Sequence, residues 1–223
     1  MSVVPLAAPF WSSDDVDASL RATIAHLNAG LVLAYPTETV YGFGTAVDHD
    51  SVETLVRMKQ RPAAKPFLLL ISSIAMIERL AVRMTPAAAA LAARHWPGPL
   101  TLVLPGGDRR VPARLRGPEG GVAVRWTSHP GLQRLIQAYG EPVTSTSANR
   151  PGTPPAMSSR EIVAQWGDAM GRGVLRVLDG GRLVPSEPST VVDCTGRTPR
   201  VIRPGAIAAD RLRESVADLI GDA

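Results

Sequence analysis

The sequence predicts an α/β fold with an open, twisted, largely mixed sheet, flanking helices and a concave basic face. Short apolar runs typical of buried strands recur along the chain, and several alternate with segments of helical periodicity. In the last third, strand-like runs follow one another directly, which favours a mixed sheet over a strictly doubly wound one. Polar loops follow several of these runs, and open α/β sheets hold their ligands at such an edge.

Length and composition indicate one domain. The chain has 223 residues and a hydrophobic content of 45%, which is enough for one sizeable core. We expect a single domain over 1–223, with its core at about 20–205 and a helical tail at about 206–223.

Charge and cysteine usage limit the classes of partner and compartment. The net charge of +4 permits a nucleotide or nucleic-acid partner, but an aromatic content of 4% leaves little material for a base-stacking platform. The single cysteine, Cys194, excludes an internal disulfide and is predicted to be buried rather than nucleophilic. No segment has the pattern of a signal peptide or a membrane span, so we expect a cytoplasmic protein without membrane contact.

The first half of the chain is predicted to alternate helices with strands. A first helix begins near Ser13 and ends at Gly30. A second begins with Asp50 and Glu53 in the manner of a capping box. The other predicted elements are strands at 31–35, 67–71 and 100–104, a helix at 74–80, and a helix that starts with proline at Pro86.

The second half is predicted to add five strands and three helices. Alternation predicts a strand at 122–126, with Arg125 facing away from the core. Ser158 and Glu161 have the spacing of a capping box. The segment 106–121, rich in Gly, Pro and Arg, is predicted to be a mobile surface loop with solvated arginines. The other predicted elements are strands at 142–145, 174–178, 190–193 and 200–202, and helices at 129–139 and about 210–220.

The stretch 34–73 is predicted to organise the functional site. Its first strand delivers the polar residues Thr37–Thr39 to the sheet edge. Both lysines of the chain, Lys59 and Lys65, occur farther on, with Arg61 between them. An ammonium group presents a compact point charge to a phosphate, so lysine retained here in an arginine-rich chain favours an anion site. The alternative is a solvated basic turn.

Three further polar loops also follow or begin predicted strands. Their hydroxyl and amide groups are suited to bonding phosphate oxygens or a sugar, while their cations neutralise charge. Each loop alone is more typical of ordinary turns and helix caps. Five loops of complementary chemistry together favour one shared site. The three loops are 145–149, which ends on Asn149, Ser189 with Thr190, and Arg203.

Common catalytic signatures are absent from the sequence. It contains no Walker sequence, no complete dinucleotide-binding fingerprint and no Gly-x-Ser-x-Gly elbow. The four histidines lack metal-ligand spacing and are predicted to be surface or capping residues: His26, His49, His95 and His129.

Seven segments resemble the YrdC-type family of threonylcarbamoyl-AMP synthases. The paired Lys-x-Arg and Ser-x-Asn signatures, here Lys59 with Arg61 and Ser147 with Asn149, carry most of the resemblance. The match follows the family's order from roughly Leu20 to Gly205. The segments are YPTETVYG (35–42), KQRPAAKP (59–66), WPGPLT (96–101), VAVR (122–125), STSAN (145–149), PSTVVD (188–193) and IRPG (202–205).

The resemblance implies a YrdC-like fold and a nucleotidyltransferase. Its substrates would be L-threonine, bicarbonate or CO2, and ATP with Mg²⁺, and its products threonylcarbamoyl-AMP and pyrophosphate. A downstream threonylcarbamoyl transferase would then carry the group to tRNA as threonylcarbamoyl-adenosine.

The resemblance also implies roles for individual residues. The implied catalytic residues are Lys59 and Arg61. The implied threonine-binding residues are Thr37, Arg125, Ser145 and Ser189. The implied nucleotide-binding residues are Lys59, Arg61, Lys65, Ser147, Asn149 and Arg203, and no side chain is implied as a metal ligand.

Two departures from the family pattern affect these expectations. Leu70 stands where many relatives carry a histidine, so one threonine contact is expected to be missing or replaced. Longer relatives carry a second C-terminal domain for which this chain leaves no room. Any lid over the site is therefore expected to come from 106–121 or from the tail after Gly205.

Two other functions remain open from the sequence alone. An RNA-binding or ribosome-maturation protein would use the same basic concave surface to grip backbone phosphates, with weak RNA binding and no chemistry. A carbamoyl-transfer module would adenylate carbamoyl phosphate instead of threonine carbamate. Such modules usually belong to larger chains with zinc fingers, and the lone cysteine argues against that setting.

Overall fold

The computed structural model describes residues 7–10, 13–60 and 66–221. The strands are β1 (Ala7–Pro9), β2 (Val32–Tyr35), β3 (Gly42–Gly44), β4 (Leu68–Ile71), β5 (Leu100–Leu104), β6 (Val122–Trp126), β7 (Val143–Ser147), β8 (Leu175–Asp179), β9 (Thr190–Asp193) and β10 (Arg200–Arg203). The helices are α1 (Ser13–Asn28), α2 (His49–Lys59), α3 (Ile74–Arg79), α4 (Pro86–His95), α5 (Pro130–Tyr139), α6 (Ser159–Gly171) and α7 (Ala209–Arg213), with a 3₁₀ turn at Ala113–Leu115.

The strands form one ten-stranded mixed sheet in the order β1-β8-β2-β3-β7-β4-β6-β5-β9-β10. Strand β8 runs parallel to both β1 and β2, and the pairs β4 with β6 and β5 with β9 are also parallel. The remaining neighbours are antiparallel. The predicted α/β class with a largely mixed sheet is therefore confirmed.

The helices flank the sheet and enclose an apolar core. Helix α1 packs on α5, β1 and β2, whereas α6 packs on β8 and α4 on β5. The largest fully buried side chains include Tyr35, Tyr41, Phe43 and Phe67. Across the described residues, no helix combines the length and apolar character needed to cross a membrane.

Glycine in β3 leaves room for the ring of Tyr35. A Cβ on Gly44 would collide with the carbonyl oxygen of Thr144 and lie 2.5 Å from Tyr35 Oη. The buried Tyr35 hydroxyl donates a 2.7 Å hydrogen bond to that same carbonyl, and burial raises the pKa of the phenol. This close packing holds β2, β3 and β7 together. It thereby places the loop that follows β2 beside the end of β7.

Most predicted strands are confirmed within one or two residues, but β1 and β3 were not predicted. Strand β3 has three residues with glycine at both ends, so neither alternation nor β-propensity marks it. The start of α2 was also predicted wrongly. Asp48, not Asp50, is the N-cap, and its Oδ1 accepts a 2.9 Å hydrogen bond from the Ser51 amide.

The predicted terminal helix at about 210–220 is wrong over most of its length. Helix α7 ends at Arg213, and the chain then turns so that Ile220 bridges to Arg200 at the edge of the sheet. The Arg213 guanidinium donates to the carbonyls of Leu219 and Gly221, which stabilises the turn. The apolar spacing that suggested a helix instead buries Leu219 against the core without helical structure.

The segment 106–121 is more ordered than the predicted surface loop. It contains the 3₁₀ turn, and Val111 and Leu115 are buried. Two of its arginines, predicted to be solvated, are paired: Arg114 Nε lies 3.0 Å from Glu53 Oε1, and Arg116 contacts Asp108.

Candidate functional site

A cavity of about 470 Å³ opens where β3–β7 and β9–β10 meet on one face of the sheet. Arg125 from β6 and Arg203 from β10 supply its positive charge. No acidic side chain among the described residues lines it, so the cavity is suited to anions. Seven hydroxyl residues line it: Thr37, Thr39, Thr101, Ser145, Thr146, Ser147 and Ser189.

Arg125 is nearly enclosed by the protein, although it lines the cavity. Its side chain is 5% exposed, and its Nε lies 3.6 Å from Oε1 of Glu38, itself 15% exposed. Thr127 Oγ1 donates a 2.7 Å hydrogen bond to the other carboxylate oxygen of Glu38. Glu38 therefore joins the loop after β2 to the end of β6 through its contacts with Arg125 and Thr127.

Arg203 is held by the residue that precedes β9. Its Nη2 donates to the carbonyl oxygen of Ser189 at 2.6 Å and to Ser189 Oγ at 2.9 Å. Ser189 Oγ also lies 2.9 Å from Thr101 Oγ1, which extends the network to β5. Burial lowers the pKa of Arg203, and the positive charge of Arg125 lowers it further. An anion between the two guanidinium groups would relieve this repulsion.

Lys59 joins the end of α2 to the end of β7. Its buried ammonium group lies 2.8 Å from Asn149 Oδ1 and 3.2 Å from Thr146 Oγ1, and it donates to the carbonyl of Ser147. Ser147 Oγ in turn donates a 2.7 Å hydrogen bond to Asn149 Oδ1. Lys59 therefore ends a helix and is not part of a solvated basic turn.

The loop after β2 is fixed by the hydroxyl of Thr37. Its Oγ1 donates a 2.7 Å hydrogen bond to the Val40 carbonyl and accepts from the amides of Thr39 and Val40. Thr37 thus forms an ordinary hydrogen-bonded turn, which was the structural alternative to a functional role for this loop. The turn also presents Thr37 and Thr39 to the cavity, so the two interpretations are compatible.

The structure brings most of the predicted site residues together, while their individual roles stay predictions. Leu70, at the position where a histidine was expected from the resemblance, is buried in β4 beside Arg125 of β6. Arg61 and Lys65 lie outside the described residues. Six predicted residues line the cavity, namely Thr37, Arg125, Ser145, Ser147, Ser189 and Arg203, and Lys59 and Asn149 contact Ser147.

Glu38, Thr101 and Thr146 lie in segments that the sequence singled out, but no individual role was predicted for them. Glu38 was noted only as part of a polar loop, and nothing in the sequence indicated its contact with Arg125. Thr101 and Thr146 lie within strands, where threonine is common because of its β-propensity alone. Alternation along β5 puts Thr101 on the same face as Val103, and both residues line the cavity.

Cysteine and metal chemistry are not indicated by the described residues. Cys194 is 1% exposed, as predicted, and burial raises the pKa of its thiol to about 12. The described residues hold no cluster of three or more His, Cys, Asp or Glu side chains suited to a metal ion.

Comparison with known proteins gives relatives that share this architecture. The chain is 34% identical over 201 residues to a threonylcarbamoyl-AMP synthase of Pyrococcus abyssi, covering 90% of this chain and 58% of that protein. It is 37% identical over 166 residues to a protein of the same name from Marinobacter nauticus, covering 74% of this chain and 85% of that one. The chain thus spans well under two thirds of the Pyrococcus relative.

A solved structure and a family model agree with these relatives. The crystal structure of Pyrococcus abyssi Sua5 complexed with L-threonine matches with a TM-score of 0.84 and 31% identity, covering 96% of this chain and 62% of that one. The Sua5/YciO/YrdC family model, described as telomere recombination, matches residues 25–205. The resemblance of the motifs is confirmed, and the chain belongs to the Sua5/YciO/YrdC family.

Proposed function

We propose that this protein is an L-threonylcarbamoyladenylate synthase, a nucleotidyltransferase that acts on L-threonine, bicarbonate or CO2, and ATP. The observation that carries the proposal is a single cavity in which Arg125 and Arg203 stand among seven hydroxyl residues. Relatives of this chain carry the name threonylcarbamoyl-AMP synthase, and one solved relative was complexed with L-threonine.

The threonine is assigned to the part of the cavity around Arg125. A guanidinium group offers a planar fork that suits a carboxylate, and charge-assisted bonds of this kind are the strong ones. Thr37, Ser145 and Ser189 line the same cavity. At the position of the family histidine, Leu70 keeps β4 apolar, and Leu68 of the same strand lines the cavity. This apolar wall suits the methyl group of threonine.

The nucleotide is assigned to the part of the cavity between Ser147 and Arg203. Ser147 lies in the hydrogen-bonded cluster with Lys59 and Asn149, which adds positive charge beside the cavity. Arg61 and Lys65 follow Lys59 closely in the sequence, and we assign them to the phosphates. The nucleotide and the amino acid would then lie side by side.

This arrangement suits an adenylation reaction. The neutral threonine amine adds to CO2 and releases a proton to solvent, which forms a carbamate. A carbamate oxygen then attacks the α-phosphorus as the bond to pyrophosphate breaks. The product is threonylcarbamoyl-AMP. Arginine and lysine groups stabilise the charge that spreads over the phosphate oxygens, so positioning and electrostatics are sufficient without a covalent enzyme intermediate.

Magnesium fits the cavity as a companion of the nucleotide. The cavity offers hydroxyl groups and no carboxylate among its described lining residues. Mg²⁺ bound through few protein groups keeps phosphate and water ligands, and when bound it would neutralise the triphosphate charge.

The RNA-binding alternative is not favoured. Relatives of this chain carry an enzyme name, and Arg125 and Arg203 lie in the cavity among hydroxyl residues. A downstream threonylcarbamoyl transferase and tRNA are proposed as indirect partners, and the cytoplasm as the compartment. They follow from the proposed product, which serves tRNA modification.

Pyrophosphate release tests the proposal. Purified protein with ATP, Mg²⁺ and bicarbonate should release pyrophosphate only when L-threonine is added, and ¹³C-bicarbonate should label the threonylcarbamoyl-AMP detected by mass spectrometry. Equal release without threonine would reject the substrate assignment. Absence of release together with tight binding of duplex RNA would favour the RNA-binding alternative.

A further inference from the structure

Glu38 lies behind the cavity wall and faces Arg125. Its neighbours Thr37 and Thr39 line the cavity, whereas Glu38 itself does not. Its Oε1 and the Nε of Arg125 are 3.6 Å apart. Both atoms are buried, and neither has a hydrogen-bond partner in the described part of the chain. The contact is therefore an ion pair without a hydrogen bond, on the side of Arg125 away from solvent.

The Glu38 carboxylate is oriented by Thr127, on the side away from the cavity. Thr127 Oγ1 donates a 2.7 Å hydrogen bond to Glu38 Oε2. Thr127 is fully buried, its hydroxyl accepts from the amide of His129 at 3.2 Å, and its carbonyl accepts from Gln133 Nε2 at 2.7 Å. With one carboxylate oxygen anchored, the other is aimed at Arg125. The aim of Glu38 thus depends on residues that do not touch the cavity.

The terminal nitrogens of Arg125 form no hydrogen bond within the described residues. Nε is enclosed and faces Glu38, and Arg125 lines the cavity. Those nitrogens are the pair that grips a carboxylate in a two-point fork. A guanidinium turned about its stem by a few tens of degrees would lose one of the two bonds.

The positive charges of Arg125 and Arg203 also favour an acid at position 38. Arg125 is buried, and the charge of Arg203 is close enough that each guanidinium repels the other. A buried charge without an opposite charge is strongly disfavoured. Glu38 is the acid that forms an ion pair with Arg125 within the described residues. Without Glu38, no described acid would offset the repulsion between Arg125 and Arg203.

We propose that Glu38 is a positioning residue that orients the Arg125 guanidinium for the carboxylate of the amino acid substrate. The inference rests on the proposed function and assigns a role to a side chain that does not touch substrate. If Glu38 served stability alone, its loss would lower the melting temperature without changing which part of the substrate the protein recognises. The two roles are therefore separable by the choice of ligand.

The test compares L-threonine with L-threoninamide, which lacks the carboxylate charge. Binding of each is measured by calorimetry to the wild type and to Glu38→Gln, which keeps an oxygen for the Thr127 hydroxyl. We expect Glu38→Gln to weaken threonine binding about tenfold, the size of one charge-assisted contact, with threoninamide binding unchanged. The matched control is Glu141→Gln, which removes the same charge from an exposed pair at 3.7 Å to Arg79.

Each outcome decides the matter. Equal preference for threonine in Glu38→Gln and the wild type, or a stronger preference, would overturn the inference alone. Failure of the wild type to bind threonine would overturn the proposed function and this inference with it. Glu38→Asp serves if the glutamine variant does not fold, because it retains the charge on a shorter stem. It should restore part of the preference for threonine, and full loss with an intact fold would contradict the charge argument.

Discussion

The ammonium nitrogen of Lys59 lies 2.8 Å from Oδ1 of Asn149, which joins the last residue of α2 to the turn after β7. The same ammonium contacts Thr146 Oγ1 and the Ser147 carbonyl. A lysine has three donors, and protein oxygens surround this one. Lys59 of the first signature therefore forms one hydrogen-bonded cluster with Ser147 and Asn149 of the second, and it shapes the turn that presents Ser147.

Replacement of Lys59 by alanine should impair nucleotide use. The partly buried oxygens of Ser147 and Asn149 would lose their charged donor, and we expect transition-state binding to weaken by about 1.5–3 kcal/mol. That corresponds to a loss of about ten- to a hundredfold in kcat/KM for ATP. Steady-state kinetics at saturating threonine measure it.

Arg57→Ala is the matched control for Lys59, because it removes a cation from the same helix. Arg57 is exposed and its guanidinium donates to Thr54 at the helix surface. Kinetics of Lys59→Ala that match those of Arg57→Ala would show that the Lys59 contacts are not needed for turnover.

Gly44→Ala should destabilise the fold where β3 meets β7. The added Cβ would collide with the Thr144 carbonyl and crowd the Tyr35 hydroxyl, which donates to that carbonyl. Overpacking of this kind costs about 1–3 kcal/mol, and we expect the upper part of that range because backbone must move. Urea unfolding measures the change.

The control for Gly44 is Gly171→Ala in α6. Its Cβ would meet no atom within 4 Å, so helix propensity should leave stability unchanged or raise it by up to about 1 kcal/mol. Equal stability of the two variants would mean that β3 does not pack as closely as described.

Stability should fall as the pH drops below about 6.5, which is the ordinary pKa of a histidine side chain. Burial lowers the pKa of His129 and of His26, although the charge of Glu38 partly opposes the shift at His129. The unfolded chain therefore takes up these protons first, so stability is complete above the unfolded pKa and is lost below it. His129 Nδ1 also accepts the Leu132 amide at 3.2 Å, which requires the neutral ring.

His129→Asn isolates that contribution. Asparagine keeps an acceptor for the helix cap but does not titrate. The slope of unfolding free energy against pH between about 7.5 and 5.5 should decrease by up to about 1.4 kcal/mol per pH unit. An unchanged slope would assign the pH dependence to other groups.

Much of the fold could be predicted because local patterns agreed with it. The apolar runs at β5 and β6 predicted their strands within their observed bounds. Strand β3 was missed because it depends on the fit of Gly44 against Tyr35, a contact between strands. The tail after Arg213 has helical apolar spacing, yet its chain pairs with β10 instead, which no local pattern indicates.

The residues of the candidate site could be predicted better than the hydrogen bonds and ion pairs between them. Hydroxyl and cationic residues at strand ends pointed to Ser147, Ser189 and Arg203, because loops at one sheet edge converge. No local pattern indicated that Ser189 accepts a hydrogen bond from Arg203 or that Glu38 faces Arg125. Such contacts join residues far apart in the chain, and their distances follow only from the packed sheet.

A crystal structure with L-threonine and a non-hydrolysable ATP analogue tests the central claim most directly. We predict both ligands in the one cavity. The threonine carboxylate should lie about 2.7–3.1 Å from the terminal nitrogens of Arg125, and the phosphates should lie between Ser147 and Arg203. Either ligand bound on another surface, or a threonine carboxylate turned away from Arg125, would contradict the account.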